Sequence, residues 1–491
     1  MRLVFHGKGK EIMLRKSRFT LIFTLFCALL MLGVFAESAS AETKVRVGIF
    51  YSSTAFKGQT AVNSETGFSI GVYDENGEFS ETALEYGIKN AYVYTDGGAL
   101  VFASEDMKNA SENPDSVIFR SQEGQKLILR PASLSENADG GNNSEENATD
   151  GTSYSADLPY IAISGKKYPE LLEFVIDPNG NIKVINVVGL EQYIKGVLPN
   201  EVYTSWEPEA LKAAAVATRT YTLKSMRGKH SSLGFDLCST TDCQVYAGVT
   251  KTAKSTDNAV DATRGLVLTY KGSLIDAVYH AISGGTTESA WGAWGGDKNA
   301  HPYLTVVSTP FEKYGELKQG HWSYVIPTDT LKSIIDAKYP DRLTGDIKSI
   351  DYSTDGGEYI HTMVITDTDG KQIKLTTSSA VRSLFNKYAL SANFTLGRTF
   401  APSDKQTDSA VTVITAKGRQ KADTADGLTL ITADSTESFS GISDVYFLNG
   451  KGFGHGVGMS QFGAQYAALE GYTYKQILET YYPGTVLESK Y

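Results

Sequence analysis

LLEFVIDPNGNIKVINVVGLEQYIKGVLPNEVYTSWEPEALKAAAVATRTYTLKSM, residues 171–226, holds a hairpin signal and a two-helix signal in one stretch. Asp177-Pro178-Asn179-Gly180 lies between two apolar runs and predicts an antiparallel hairpin, because Asn and Gly accept positive φ at little cost. LEQYIKGVLPN, residues 190–200, predicts a short helix stopped by Pro199. A second helix should begin near Pro208, since Pro is well placed in a first helical turn. The run that follows has few helix breakers and many alanines, so it is expected to pack closely inside the core. Glu201 then falls in the connection between the two helices.

Upstream, Val45, Val47 and Ile49 alternate with polar residues, a half-buried strand pattern. Asn76-Gly77 and Asp96-Gly97-Gly98 are further hairpin turn signals. Downstream, residues 310–400 mix strand patterns with a helical stretch near 328–338 and carry few chemical signals. The C-terminal segment is Gly-rich and then helical over AALEGYTYKQILETYY. Hairpins with a few core helices predict an α+β fold with mixed, hairpin-rich sheets and a small N-terminal β-rich domain, not a doubly wound parallel sheet.

The expected organisation has four parts. Residues 1–41 carry a basic Arg15-Lys16-Arg18 region, an uncharged run over 19–35 and Ala39-Ser40-Ala41, which reads as a cleavage site. They are expected to be a signal peptide or, given the length of the apolar run, a retained membrane anchor. Residues 42–132 are the β-rich N-terminal part. Residues 133–156 are rich in Ser, Asn, Gly and acid; such a stretch cannot offset its ordering entropy by burial and reads as a flexible linker or loop. It can equally be an insertion inside one β domain, because strand patterns resume directly after it. Residues 157–491 would form the catalytic domain.

The formal net charge is −10, and removal of residues 1–41, with six basic and two acidic residues, leaves −14. That balance argues against nucleic acid, whose binding rests on neutralising phosphates, and is compatible with a neutral sugar. Of three cysteines, Cys27 lies in the export segment. Cys238 and Cys243 are a local bridge, a metal pair or two plain thiols; they do not make a disulfide scaffold.

Four segments carry chemical signals. Glu201 sits among Val202, Tyr203 and Trp206, an apolar setting that would raise its pKa, as a general acid for glycosidic cleavage requires. Its bland alternative is a solvent-facing loop carboxylate, and that of Arg219 is a structural ion pair. YHAISGGTTESAWGAWGGD, residues 279–297, offers His280 and Glu288 around a Ser-Gly-Gly turn, with Trp291 and Trp294 able to stack on a sugar face. KGFGHGVGMSQFG, residues 451–463, places a His in a Gly-rich loop that matches neither dinucleotide nor P-loop spacing. His230, Cys238, Asp242 and Cys243 offer a zinc ligand set, though not at finger or ribbon spacing.

Together these segments, with CQVYAGV (243–249) and HPYLTVV (301–307), resemble the SpoIID/LytB family of sporulation and wall-lytic proteins. The likeness is strong over roughly 160–310 and 445–490. It implies a peptidoglycan lytic transglycosylase that cleaves the bond from N-acetylmuramic acid to N-acetylglucosamine and leaves a 1,6-anhydro end. Sporulation members act on glycan stripped of its stem peptides. Glu201 takes the family's catalytic position. Arg219, Gln244, His280, Ser283, Gly284, Gly285, Glu288, Gly454, His455, Gly456 and Gln461 take substrate-groove positions. Some members bind zinc through His and Cys before the QVY run; a His is expected directly before the second Cys, where this chain has Asp242. No cofactor is required for the chemistry. The N-terminal segment predicts an exported protein, extracellular, in the cell wall or at the outer face of the cytoplasmic membrane. Two alternatives remain open: a non-catalytic, glycan-binding enhancer of a partner amidase, and a hydrolase pairing Glu201 with Glu288.

Overall fold

The turn at Asp177–Gly180 closes a hairpin as the sequence predicts. Leu171–Ile176 pairs antiparallel with Ile182–Gly189, Asp177 Oδ1 accepts the Asn179 and Asn181 N–H groups, and Gly180 adopts φ +79°. The computed structural model describes residues 43–132, 157–226, 228–354, 356–399 and 444–491, with four short strands between 410 and 439. The export segment and residues 133–156 lie outside the described residues. Among the described residues, no helix is long and apolar enough to cross a membrane.

The hairpin sits in the middle of a seven-stranded sheet. Its order is Leu237–Cys238, Lys44–Phe50, Ile182–Gly189, Leu171–Ile176, Leu127–Pro131, Phe68–Tyr73 and Phe79–Glu85. A six-stranded sheet likewise combines Gln59–Asn63, Asn90–Asp96, Ala99–Ala103 and Val117–Arg120 with Tyr160–Ile163 and Lys166–Pro169. Strands from before and after residues 133–156 therefore share both sheets and one apolar core, in which Val45, Phe68 and Leu129 pack with Phe174 and Val184. The β-rich N-terminal strands bury their apolar faces by pairing with strands after residue 157.

The last strand of the hairpin runs straight into helix α1, Leu190–Glu201, and helix α2 follows at Pro208–Ser225. Pro199 does not stop α1 but lies inside its last turn. A proline this close to a C-terminus forfeits only the bond to the Lys195 carbonyl. Neighbouring carbonyls are still met: Asn200 Nδ2 donates to Gly196 O and Val202 N–H to Leu198 O. Glu201 is consequently the last residue of α1, held by a helix rather than a loop. The Ala-rich α2 is buried over Ala213–Thr220 and packs on α1, on helix α3 (Lys254–Ala262) and on the two C-terminal helices.

Those C-terminal helices correct a further expectation. The stretch expected as one helix divides into Gln461–Leu469 and Tyr474–Tyr481. Gly471 turns at φ +89°, and Thr473 with Gln476 forms a capping box that starts the second helix. Residues 321–399 and 445–451 build a second apolar core around Trp322, Ile335, Met363 and Phe385. Its helix Ser378–Phe385, capped by the Thr377 hydroxyl, forms one wall of the cleft described next.

Candidate active site

Glu201 stands where two cavities meet. One, of ≈ 560 Å³, is lined by Tyr279, His280, Trp294, Arg382, Gly454 and His455 among others. The other, of ≈ 780 Å³, runs past Asn200, Tyr203, Lys251, Gln319 and Phe462. Both also take Glu201, Ala281, Phe453 and Gln461 in their walls. A groove open on both sides of one carboxyl suits an extended chain with a bond to be cut at its middle. Exposed aromatic surface flanks each side: Tyr203 is 62% exposed beside Trp206 and Phe462, and Trp294 is 47% exposed against the His455 ring.

The Glu201 carboxyl is held above the usual carboxylate range by burial, which outweighs its hydrogen bonds. Val245 N–H donates to Oε1 at 2.7 Å. Gln461 Nε2 donates to the Glu201 carbonyl at 2.9 Å and reaches Oε2 at 3.4 Å. Among the described residues, no arginine or lysine acts on it. An unpaired, partly desolvated carboxyl with two neutral donors can carry a proton and surrender it, the requirement for general acid work.

Long-range contacts assemble this setting. Tyr279–His280 pairs in parallel with Met459–Ser460, bringing the 279–297 and 451–463 segments edge to edge. Glu312 then ties them together. Its carboxylate accepts Ser283 N–H at 3.1 and 3.2 Å, the Ser283 hydroxyl, and the Ser460 hydroxyl at 2.6 Å. Ser460 also caps the helix whose first residue is Gln461. Gly454 and Gly456 have φ +116° and +81°, and a Cβ on Gly456 would stand 2.4 Å from the Tyr359 ring.

His280 and His455 are both neutral at ordinary pH. Burial pushes His280 down to about 3 and His455 down to about 4. His280 Nδ1–H donates to Val457 O at 3.1 Å, which leaves Nε2 as an acceptor with no protein partner among the described residues.

Of the residues singled out in the sequence, Glu201, His280, Gly454, His455 and Gln461 do line the cleft. Several others do not. Arg219 is completely buried, bidentate on Glu191 at 2.8 and 2.6 Å, and touches neither cavity; its expected groove role is corrected to a core ion pair. Gln244 is 1% exposed, with Tyr193, Thr222 and Tyr279 as partners, and anchors the irregular segment that presents Val245. Ser283, Gly284, Gly285 and Gly456 line neither cavity. Glu288 is buried, accepts from its neighbour Ser289, and lines neither cavity, so the two-carboxylate alternative loses its second acid at the cleft. Asp242 lines the cleft but is tied to Lys229. Sequence reasoning missed Tyr279, Arg382 and Glu312; the latter two come from the region that carries few chemical signals, and only packing reveals them.

His230, Cys238, Asp242 and Cys243 form a cluster able to hold a metal ion, with all four donor atoms within 4.8 Å of one another. His230 Nε2 is 3.2 Å from Cys243 Sγ and 3.5 Å from Asp242 Oδ2. The cysteines are free thiols. The Cys238 thiol is pushed below its ordinary range, chiefly by its contact with the Cys243 thiol. A two-sulfur, one-nitrogen, one-oxygen set at this spacing fits a tetrahedral ion.

A profile of the family described as Stage II sporulation protein, SpoIID, matches residues 178–270. Stage II sporulation protein D of Bacillus subtilis (strain 168) is 30% identical over 316 residues, 61% of this chain and 74% of that protein. The amidase enhancer of the same organism is 31% identical over 323 residues, 60% of this chain and 40% of that longer protein. An uncharacterized protein of Brachyspira hyodysenteriae is 32% identical over 324 residues, 66% of this chain and 73% of that protein.

Proposed function

The chain belongs to the SpoIID family of cell-wall-related proteins, and from that premise we propose that it is a lytic transglycosylase of peptidoglycan with Glu201 as its single acid and base. The observation that carries the reading is the setting of Glu201: an unpaired carboxyl raised by burial, at the meeting point of two cavities that no second unpaired carboxyl lines.

Ordinary glycosidases use two carboxylates because water or an enzyme nucleophile must attack the sugar. Here the attacking group would be the muramic acid's own C6 hydroxyl. Glu201 gives its proton to the glycosidic oxygen as the C1–O bond breaks. The C6 oxygen bonds to C1, and its proton returns to Glu201. The products are a free 4-hydroxyl on one sugar and a 1,6-anhydro ring on the other. Atoms balance without water, and Glu201 ends as it began. Val245 N–H and the Gln461 amide stabilise the carboxylate between the two transfers.

The metal cluster would hold zinc in a structural role, through His230, Cys238, Asp242 and Cys243. When bound, the ion would fix the loop that runs from Cys243 to Val245 and so steady the donor to Glu201. Purified protein is expected to carry about one zinc per chain, lost in Cys238→Ser. Metal analysis checks this; a metal-free protein with two titratable thiols removes the zinc reading. Residues 1–41 would export the chain to the envelope, where glycan lies.

A second reading rests on the 31% identity to an amidase enhancer. On that reading the cleft binds glycan and stimulates a partner amidase without cutting. Mass spectrometry of peptide-free glycan incubated with the protein separates the readings. Anhydro-muramic ends are expected. Reducing ends would mean hydrolysis, and uncut glycan with a folded, glycan-binding protein would favour the enhancer.

A further inference from the structure

Arg382 is a cation that the described residues leave unanswered. It stands on the helix Ser378–Phe385, half-buried, in the wall of the cavity that holds Glu201. Burial lowers its pKa, and Tyr359 is the one titratable group that acts back on it; no carboxylate does. Among the described residues its guanidinium has no hydrogen bond or ion pair. Its charge reaches His455, which it helps to hold neutral. The other cation in that wall, Lys229, is tied to Asp242.

Partly desolvated guanidinium groups ordinarily find a carboxylate, because leaving the charge unpaired is costly. In a chain with ten more acidic than basic residues, such a partner would be easy to supply. An unpaired arginine in a cleft therefore points to an anion that arrives with the ligand. Guanidinium matches a carboxylate in two parallel hydrogen bonds, a fit that lysine does not reproduce.

If the proposed function holds, the ligand is a chain of N-acetylglucosamine and N-acetylmuramic acid. Hydroxyl and N-acetyl groups on that backbone are neutral. Its one ionisable group is the lactyl carboxyl on C3 of muramic acid. With a stem peptide attached this carbon is an amide; after an amidase has acted it is an anion. The bond to be cut leaves C1 of the same ring, so the acid and the anion-binding group must serve one sugar from one cavity. Glu201 and Arg382 are placed in that way.

We propose that Arg382 determines substrate specificity by pairing with the free lactyl carboxylate of peptide-stripped muramic acid. This inference rests on the glycan reading but not on catalysis, and the test keeps the two apart.

The full chain with Glu201→Gln is titrated with a peptide-free glycan oligosaccharide and with the same oligosaccharide converted to its methylamide. The carboxylate form is expected to bind about tenfold more tightly. Adding Arg382→Gln should bring both forms to the weaker affinity, and Arg382→Lys should restore part of the difference. In the active protein, Arg382→Gln should raise KM for the carboxylate glycan with kcat little changed. Equal binding of the two forms with Arg382 present overturns the inference, as does discrimination that survives Arg382→Gln in a folded protein. Failure of both forms to bind overturns it too. Discriminating binding without cutting would sink the transglycosylase reading and leave Arg382 in its role.

Discussion

Glu201→Gln is expected to lower glycan cutting by about 10²–10⁴-fold, the usual loss when a general acid is removed. The amide keeps an oxygen for the Val245 N–H and nearly the same volume, so the cleft should keep its shape. It cannot deliver or collect a proton. Stability should not fall at neutral pH. Because burial raises the folded pKa of Glu201, its favourable contribution is present below the unfolded pKa and is lost as pH rises through the folded one. A neutral amide escapes that loss. The same shift sets the sign for activity: the proton must be on Glu201 at the start, so kcat/KM should decline as pH climbs past its raised pKa. Product counts by mass spectrometry and urea unfolding of both proteins check the pair of expectations. Cutting within a few-fold of wild type would remove Glu201 from the mechanism.

Arg219→Ala is expected to cost about 3–5 kcal/mol of stability, as breaking a buried ion pair does. Arg219 is fully enclosed, and besides its two bonds to Glu191 it donates to the carbonyls of Leu266 and Val260, both at 3.2 Å. Those contacts lock α1 and α2 to α3 and to the strand Leu266–Tyr270. Removing the guanidinium strands the Glu191 carboxylate in a 4%-exposed position. Replacing both partners by apolar residues, Arg219→Met with Glu191→Leu, should recover much of the loss, since neither charge then stays buried. Denaturant midpoints measure this. If Arg219→Ala unfolds at the wild-type midpoint but no longer cuts, the arginine belongs to the chemistry and the core-pair assignment is wrong.

These two residues lie eighteen positions apart in one quoted stretch, yet the sequence treats them alike. What sequence reading resolves is local. The Asp177–Gly180 hairpin, the start of α2 at Pro208 and the α+β class depend on turn geometry, ring constraint and periodicity within a few residues. It errs where a local signal competes with packing, as at Pro199, which the end of α1 accommodates, and at Gly471, which divides the C-terminal helix.

Family likeness located Glu201, His280, His455 and Gln461 because their segments have unusual Gly, His and Trp content. It could not say which polar residues in those segments meet substrate. Arg219 and Gln244 carry as much hydrogen-bonding capacity as any groove residue, but their partners lie in the core. Arg382 and Glu312 gave no pattern, since a single charge on an amphipathic helix or loop is ordinary until its neighbours are known. The sequence by itself determined the hairpin, the start of α2, the α+β class and the place of Glu201 beside the two helical signals. Tertiary structure decided the rest: that strands on both sides of residues 133–156 share one core, that Glu201 is buried without a cation, and that Arg219 is paired while Arg382 is not. The reason is that burial and pairing depend on chain segments as distant as Val245 and Gln461 are from Glu201, and no local rule carries that information.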